Sequence, residues 1–394
     1  MYDVSLDLRK IRRDTPTCEG QTFLDNAGSA LSPTIVNETL VAHLAREQEV
    51  GGYVAADMAF PRITEATAHV GQLVGAAIHQ IAWQPSATAA WNRAISSIPF
   101  TDGDRVLTTS AEYASNVIPL LQAHKKVGLQ VEVIPDGPDG AADPVAFEAM
   151  LDSRVKAVVI THAPSQNGLL VDAHAFGEVL RDAGSPAWFL LDACQSVGQI
   201  PIDMGSIGAD FVTATGRKWI RGPRGTGFLA ISERALVELE PDPMDMCGAT
   251  WRGGTDYQPV ETATRFQSSE MSIAGLLGLG AAAAYALDLG IDHIRGQVNA
   301  LASNLREQLD AIAGVRVLDR GRERTGIVVF AVPGDNALVE ASKLRTKGIT
   351  VTPVVNLTNP SDYLSTGATC ILRASPHVYN SEPDLARLVA ALGD

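Results

Sequence analysis

The chain has little that would mark it for a membrane, a nucleic acid or a metal. Its 394 residues carry 31 Lys and Arg against 45 Asp and Glu, a formal net charge of −14. A balance so acidic, with no basic patch, speaks against nucleic acid and anionic lipid as partners. Cysteine is scarce: Cys18, Cys194, Cys247 and Cys370 are scattered with no CxxC or Cys/His spacing, which excludes a disulfide framework and a zinc site of the usual pattern. The first residues, MYDVSLDLRKIRRD, lack the apolar run of a secretory signal, and the longest apolar stretch, GLLGLGAAAAYALDLG, is short and rich in Gly and Ala. A cytoplasmic location is the expectation. GxSxG, HExxH and P-loop elements are missing, so serine hydrolase, zinc protease and NTPase chemistry have no support. GPRGTGF and GLLGLG lack the GxGxxG spacing between strand and helix that a dinucleotide loop needs. There is no internal repeat and no low-complexity tract.

What is present is an ordinary globular composition, 46% hydrophobic and 19% charged, long enough for a large core. Strand-like runs (RVLTTS, VEVIP, KAVVITH, AWFLLDA, DFVTAT) alternate with helix-like segments through roughly residues 75 to 235, the α/β pattern of a mostly parallel sheet. Beyond the Pro/Gly-rich stretch 241–259 come two helical segments, about 272–290 and 292–313, then the strands VRVL, GIVVFAV and ATCILRAS. These read as a smaller α+β domain.

The most informative pairing is Asp192, at the end of the apolar run AWFLLD, with Lys218 in FVTATGRKWIRGPRGTGF, 26 residues later. An acid at a strand's carboxyl end lies where open α/β sheets bind ligands. Pyridoxal 5'-phosphate (PLP) needs an amine to bond its aldehyde and a carboxylate to keep its ring nitrogen protonated. Arg217 beside Lys218 would lower the lysine pKa. Singly, a lysine is usually solvated and a strand-end Asp often caps a helix; the pair in this context carries more. Ser86, Ala87 and Thr88, after Pro85 at a predicted helix start, offer N–H groups and hydroxyls to a phosphate, although Ser or Thr there often serves only as a cap. Arg373 in CILRASPHVYN could grip a carboxylate through two parallel hydrogen bonds, whereas an Arg at a strand end is more commonly a surface ion pair. His377 is given no role.

The segment LDACQSVGQIPIDMGSIGADFVTATGRKWIRGPRGTGFLAIS resembles the class V aminotransferase family of fold type I PLP enzymes. The likeness runs from LDNAGSALSP near the start to LRASPHVYNSEPDL near the end. It implies a large PLP-binding domain over 21–260 with a mostly parallel seven-stranded sheet, a smaller α+β domain over 261–394, and an N-terminal segment 1–20 packing with the latter. It also implies a homodimer with shared active sites. At the cofactor, the resemblance assigns Lys218 and Asp192 as catalytic, places Ser86, Ala87, Thr88 and Thr215 around the PLP phosphate, and counts Arg217 among the cofactor-binding residues. Tyr113 would stack on the ring, and Gln195 and Ser165 would contact its 3'-oxygen. Arg373, Tyr53 and Asn26 fall on the substrate side, the carboxylate going to Arg373.

Two departures separate the chain from cysteine desulfurases in that family. The stretch TPVVNLTNPSDYLSTG, where those enzymes carry a nucleophilic cysteine, contains none, and Cys370 sits in an apolar strand. Glu270 stands where desulfurases usually present a Thr. EVGGYVAAD, with Tyr53, and the RKW-x-x-GPRG run look instead like the ergothioneine-pathway C–S lyase and related lincosamide-tailoring enzymes. The expected reaction is β-elimination from an S-substituted cysteine or its sulfoxide, in the biosynthesis of a sulfur-containing natural product. Decarboxylation with oxidative deamination, epimerisation and transamination would use the same residues. A non-catalytic PLP-fold binding protein is the alternative from another class.

Overall fold

The computed structural model describes residues 6–355 and 370–393. Its centre is a seven-stranded sheet in the spatial order Ile81–Gln84, Gly227–Ile231, Phe211–Thr215, Trp188–Asp192, Val155–Thr161, Arg105–Thr108, Gln130–Val133. Gly227–Ile231 runs antiparallel to both of its neighbours, and the remaining pairings are parallel. The five strands read from sequence are all present. Ile81–Gln84 and Gly227–Ile231 went unread because one follows a polar turn and the other hides behind the glycines of GPRGTG.

Every residue of Trp188–Asp192 and Phe211–Thr215 is buried, as expected of strands covered on both faces. Side chains alternate between the faces: Phe189 and Leu191 join the core on one side with Val212 and Ala214, while Trp188, Leu190 and Phe211 join the other. In the parallel register Asp192 sits opposite Thr161 on one side and Thr213 on the other. The carboxyl ends of these strands therefore form one rim.

The smaller part is a four-stranded antiparallel sheet in the order Arg316–Val317, Val328–Ala331, Cys370–Ala374, Thr352–Val355, with its own core that includes Leu305, Phe330, Leu372 and Leu385. The N-terminal chain is tied to it both before and beyond residue 20. Thr22–Phe23 pairs with Ile349–Thr350, Asp25 bridges to Ser375, and Arg12 meets Asp384 at 3.5 Å. The helix Ile273–Leu289 follows the boundary read at 260/261, yet its Leu276, Leu279 and Ala282 belong to the core that includes the central sheet. Its glycines explain GLLGLG: a Cβ on Gly280 would collide with Ala66 of the helix Gly52–Gln72, so these glycines allow two helices to approach closely. Among the described residues no single helix is long and apolar enough to cross a membrane.

Candidate active site

Asp192 ends its strand, and Lys218 lies three residues past the end of the neighbouring strand Phe211–Thr215. The loop that carries the lysine is closed by backbone bonds, Gly216 N to Thr226 O at 2.9 Å, Gly222 N to Gly216 O at 2.7 Å and Arg221 N to Lys218 O at 2.9 Å. Arg221 takes a positive φ of 66°, a strained conformation for a non-glycine residue that surrounding contacts must hold. They do so from three directions: its Nε donates to Leu31 O at 2.9 Å, an Nη donates to Thr15 Oγ1, and its guanidinium lies over the rings of Tyr285 and Tyr379.

The rim encloses a cavity lined by both Asp192 and Lys218. Burial pulls the Lys218 ammonium below its ordinary pKa, and Arg217 and Arg373 push the same way, against the pull of Asp192 and Cys194. An amine in this setting holds its lone pair more readily than a solvated lysine does. Asp192 is fixed at both oxygens: Asn116 Nδ2 donates to Oδ2 at 2.7 Å, and Cys194 N donates to Oδ1 at 2.9 Å.

Ser86, Ala87 and Thr88 line the same cavity. Ser86 is the N-cap of the helix Ala87–Ser97, accepting from Ala89 N at 3.1 Å, so it does perform the capping task, and the first-turn N–H groups of an eleven-residue helix open on the cavity. Thr215 and Arg217 line it too; Arg217 donates to Gly28 O, and Ala30 N donates to Arg217 O at 2.9 Å. Tyr113, 39% exposed, lies at the mouth as the N-cap residue of Ala114–Val127. Gln195 also lines the cavity, with Nε2 on Ala27 O at 3.0 Å and Oε1 accepting from Trp219 Nε1 at 2.8 Å. One amide N–H of Gln195 remains beyond these bonds.

Three residues assigned to the substrate side do not line this cavity. Arg373 stands just behind it, donating from Nη1 to the carbonyl of the lining residue Ser165 at 3.2 Å. Asn26 is fully buried, with Nδ2 on Ser375 O at 2.6 Å and Oδ1 accepting from Tyr379. Its polar atoms are thus spent on joining the N-terminal chain to the smaller domain. Tyr53 is 93% exposed at the start of Gly52–Gln72, away from the cavity of its own chain. His377 is buried between Trp219 and Tyr379 and is held neutral, its pKa pulled to about 3 by burial.

The sequence reading missed Asn116, Thr161, Cys194 and Arg224, all of which line the cavity. Asn116 was accessible in principle, three residues beyond Tyr113. Cys194 lies between two residues that were assigned, and burial pushes its thiol pKa well up, so it is held protonated. Of the stretch TPVVNLTNPSDYLSTG, residues 356–367 lie outside the described residues.

The amine and carboxylate line one cavity together with a helix N-terminus, the donor set that a phosphorylated pyridine aldehyde requires, and the residues fit that group. The comparisons agree. A family model described as aminotransferase class-V matches residues 22–388. A relative from Methanothermobacter thermautotrophicus, named "Probable cysteine desulfurase", is 28% identical over 388 residues, 96% of this chain and 95% of its own. The solved apo structure of a cysteine desulfurase from Thermococcus onnurineus NA1 has a TM-score of 0.91 at 25% identity, covering 100% of this chain and 98% of that one. A cystine C–S lyase, solved with its reaction product cysteine persulfide, has a TM-score of 0.86 at 20% identity over 96% and 99% of the two chains, a likeness of fold. The chain belongs to the class-V aminotransferase family.

Proposed function

We propose that the chain is a PLP-dependent C–S lyase that performs β-elimination on an S-substituted cysteine or its sulfoxide. The observation that carries this reading is Lys218, with its lowered pKa, sharing a cavity with the doubly held carboxylate of Asp192. When bound, PLP supplies an electron sink conjugated to the substrate's Cα. Ser86, Ala87, Thr88 and Thr215 would hold its phosphate, Asp192 would pair with its ring nitrogen, Tyr113 would cover the ring, Gln195 and Ser165 would contact its 3'-oxygen, and Arg217 would lie beside Lys218.

Lys218 would anchor the cofactor through Nζ, and the same Nζ would serve as the base that takes the substrate's Cα proton. Burial lowers its pKa and so favours the neutral amine more than in a solvated lysine. Arg373 is assigned the α-carboxylate from its place beside the lining residue Ser165; its Nε is buried and has no hydrogen-bond partner among the described residues. The bond from Cβ to sulfur breaks with its electron pair leaving on sulfur. An S-substituted cysteine and water thus become a thiol, pyruvate and ammonium; a sulfoxide releases a sulfenic acid in place of the thiol.

Two relatives described above are named for chemistry on sulfur amino acids. Elimination is favoured over persulfide transfer by the cysteines themselves. TPVVNLTNPSDYLSTG has none, Cys370 is buried in its strand, and Cys194 is held as a thiol, a poor nucleophile. The natural-product role rests on the resemblance of EVGGYVAAD and RKW-x-x-GPRG alone. We further infer a homodimer and a division into an N-terminal segment, a large domain and a smaller one, with the helix Ile273–Leu289 packed on the large domain. Tyr53, Val54, Met58 and Phe60, with Val41 and Leu44 of the preceding helix, leave apolar side chains exposed, a face for a second copy to cover.

The test is product analysis with PLP and an S-alkyl cysteine. Equal amounts of pyruvate and thiol support the reading; an amino or keto acid that retains the sulfur group rejects it in favour of epimerisation or transamination.

A further inference from the structure

Behind Asp192 lies a second acid that the mechanism above does not use. Glu112 is 4% exposed, yet four donors converge on its carboxyl. Oε1 accepts from Thr161 N at 2.5 Å and Thr109 Oγ1 at 3.2 Å; Oε2 accepts from Thr161 Oγ1 at 2.7 Å and Asn116 Nδ2 at 3.4 Å. The same Asn116 Nδ2 donates to Asp192 Oδ2 at 2.7 Å and lies 3.3 Å from Thr161 Oγ1. Thr161 is itself the strand partner of Asp192. One amide therefore bridges two carboxyls, over a threonine whose backbone is locked to the strand of one and whose hydroxyl serves the other.

The chemistry of the amide gives this arrangement a direction. An Asn side chain has one accepting and one donating end. Turned over, Asn116 would set its Oδ1 against an oxygen of Asp192, two acceptors with no proton between them. An acceptor-rich Glu112 on the far side of the same NH2 penalises that rotation a second time. The two carboxyls together pin the amide with its hydrogens toward Asp192, and buried networks of this kind act as a unit.

We propose that Glu112 is a positioning residue: acting through the Asn116 amide and Thr161, it fixes the Asp192 carboxylate in the orientation that meets the cofactor's ring nitrogen. The proposal rests on the PLP reading of the site. It asks nothing of Glu112 in contact with cofactor or substrate.

A double-mutant cycle separates this role from one in stability alone. Glu112→Gln, Asn116→Ala and the double variant are prepared as apoproteins, and three quantities are measured for each: the melting temperature, the dissociation constant for added PLP, and the absorbance maximum of the bound cofactor. Glu112→Gln and Asn116→Ala each weaken PLP binding by about fivefold to tenfold and displace the absorbance maximum in the same direction. The double variant is no worse than either single one, as coupled neighbours behave. A lowered melting temperature with PLP affinity and absorbance maximum unchanged overturns the proposal, and so do effects that simply multiply in the double variant. Thr161→Val, which removes the hydroxyl bound to Oε2, carries the same expectation if Glu112→Gln does not fold. Wild type that takes up no PLP overturns the functional reading as well, whereas normal uptake by wild type and Glu112→Gln alike overturns this one alone.

Discussion

Arg373 is ion-paired with Asp25, Nη2 to Oδ1 at 3.1 Å, within a smaller-domain strand that an N-terminal residue reaches across the fold. With Nη1 on Ser165 O, the guanidinium is held by two partners while its Nε has no hydrogen-bond partner among the described residues. Arg373→Ala is expected to raise KM for the amino acid by about tenfold or more, the worth of charge-assisted hydrogen bonds. PLP binding by the same variant stays near wild type. Steady-state kinetics beside a PLP titration measure both, and an unchanged KM contradicts the assignment of Arg373 to the carboxylate.

Ser86 performs two tasks that one substitution divides. Loss of its cap bond to Ala89 N lowers stability by about 1 kcal/mol, which thermal melting of the Ser86→Ala apoprotein reads. If Ser86 also holds the phosphate, PLP affinity falls in addition. A melting shift with unchanged PLP affinity leaves Ser86 as a cap only.

Burial pushes Glu112 up to about 7 from an ordinary 4.5, with Asp192 adding to the effect against the hydrogen bonds from Thr161. Between those values the folded chain holds a proton that the unfolded chain has released. Stability contributed by this group is therefore full below the ordinary value and lost as pH rises through about 7. Wild-type apoprotein should lose melting temperature relative to Glu112→Gln over that interval. A difference between the two that stays constant with pH would show that Glu112 is ionised throughout.

Cys194 lies in the cavity as a protonated thiol. Under elimination it is dispensable, so Cys194→Ala retains most of the turnover of an S-alkyl cysteine. Turnover abolished by this substitution, with a persulfide detected on Cys194 of wild type by mass spectrometry, would turn the account toward sulfur transfer.

The exposed apolar side chains of Met58 and Phe60 predict self-association. Sedimentation of Phe60→Glu should show a monomer where wild type sediments as a dimer; equal sedimentation of both speaks against that face as the contact.

The sequence made the catalytic rim legible because local signals coincide there: an apolar strand ending in Asp192, a glycine-rich turn holding Lys218, and a cap at Ser86. It did not disclose Asn116, Thr161 or Glu112, since their contacts to Asp192 arise from strand register and from a helix start brought alongside it, neither of which has a local signature. Asn26 illustrates the opposite error. A polar residue in a distinctive segment was read toward substrate, whereas its hydrogen bonds join Ser375 and Tyr379. The helix Ile273–Leu289 was placed with the smaller domain by its position in the chain. Its apolar face and Gly280 fit the helix Gly52–Gln72 instead.

The central claim is that Lys218 bonds PLP opposite Asp192, and the most direct measurement is the near-ultraviolet and visible absorbance of purified wild type and Lys218→Ala, each supplied with PLP and then passed through a desalting column. The account predicts a cofactor band that stays with wild type and responds to an S-alkyl cysteine sulfoxide, and one that is lost from, or altered in, Lys218→Ala. A wild-type protein that emerges without any such band contradicts the catalytic assignment and leaves only the fold.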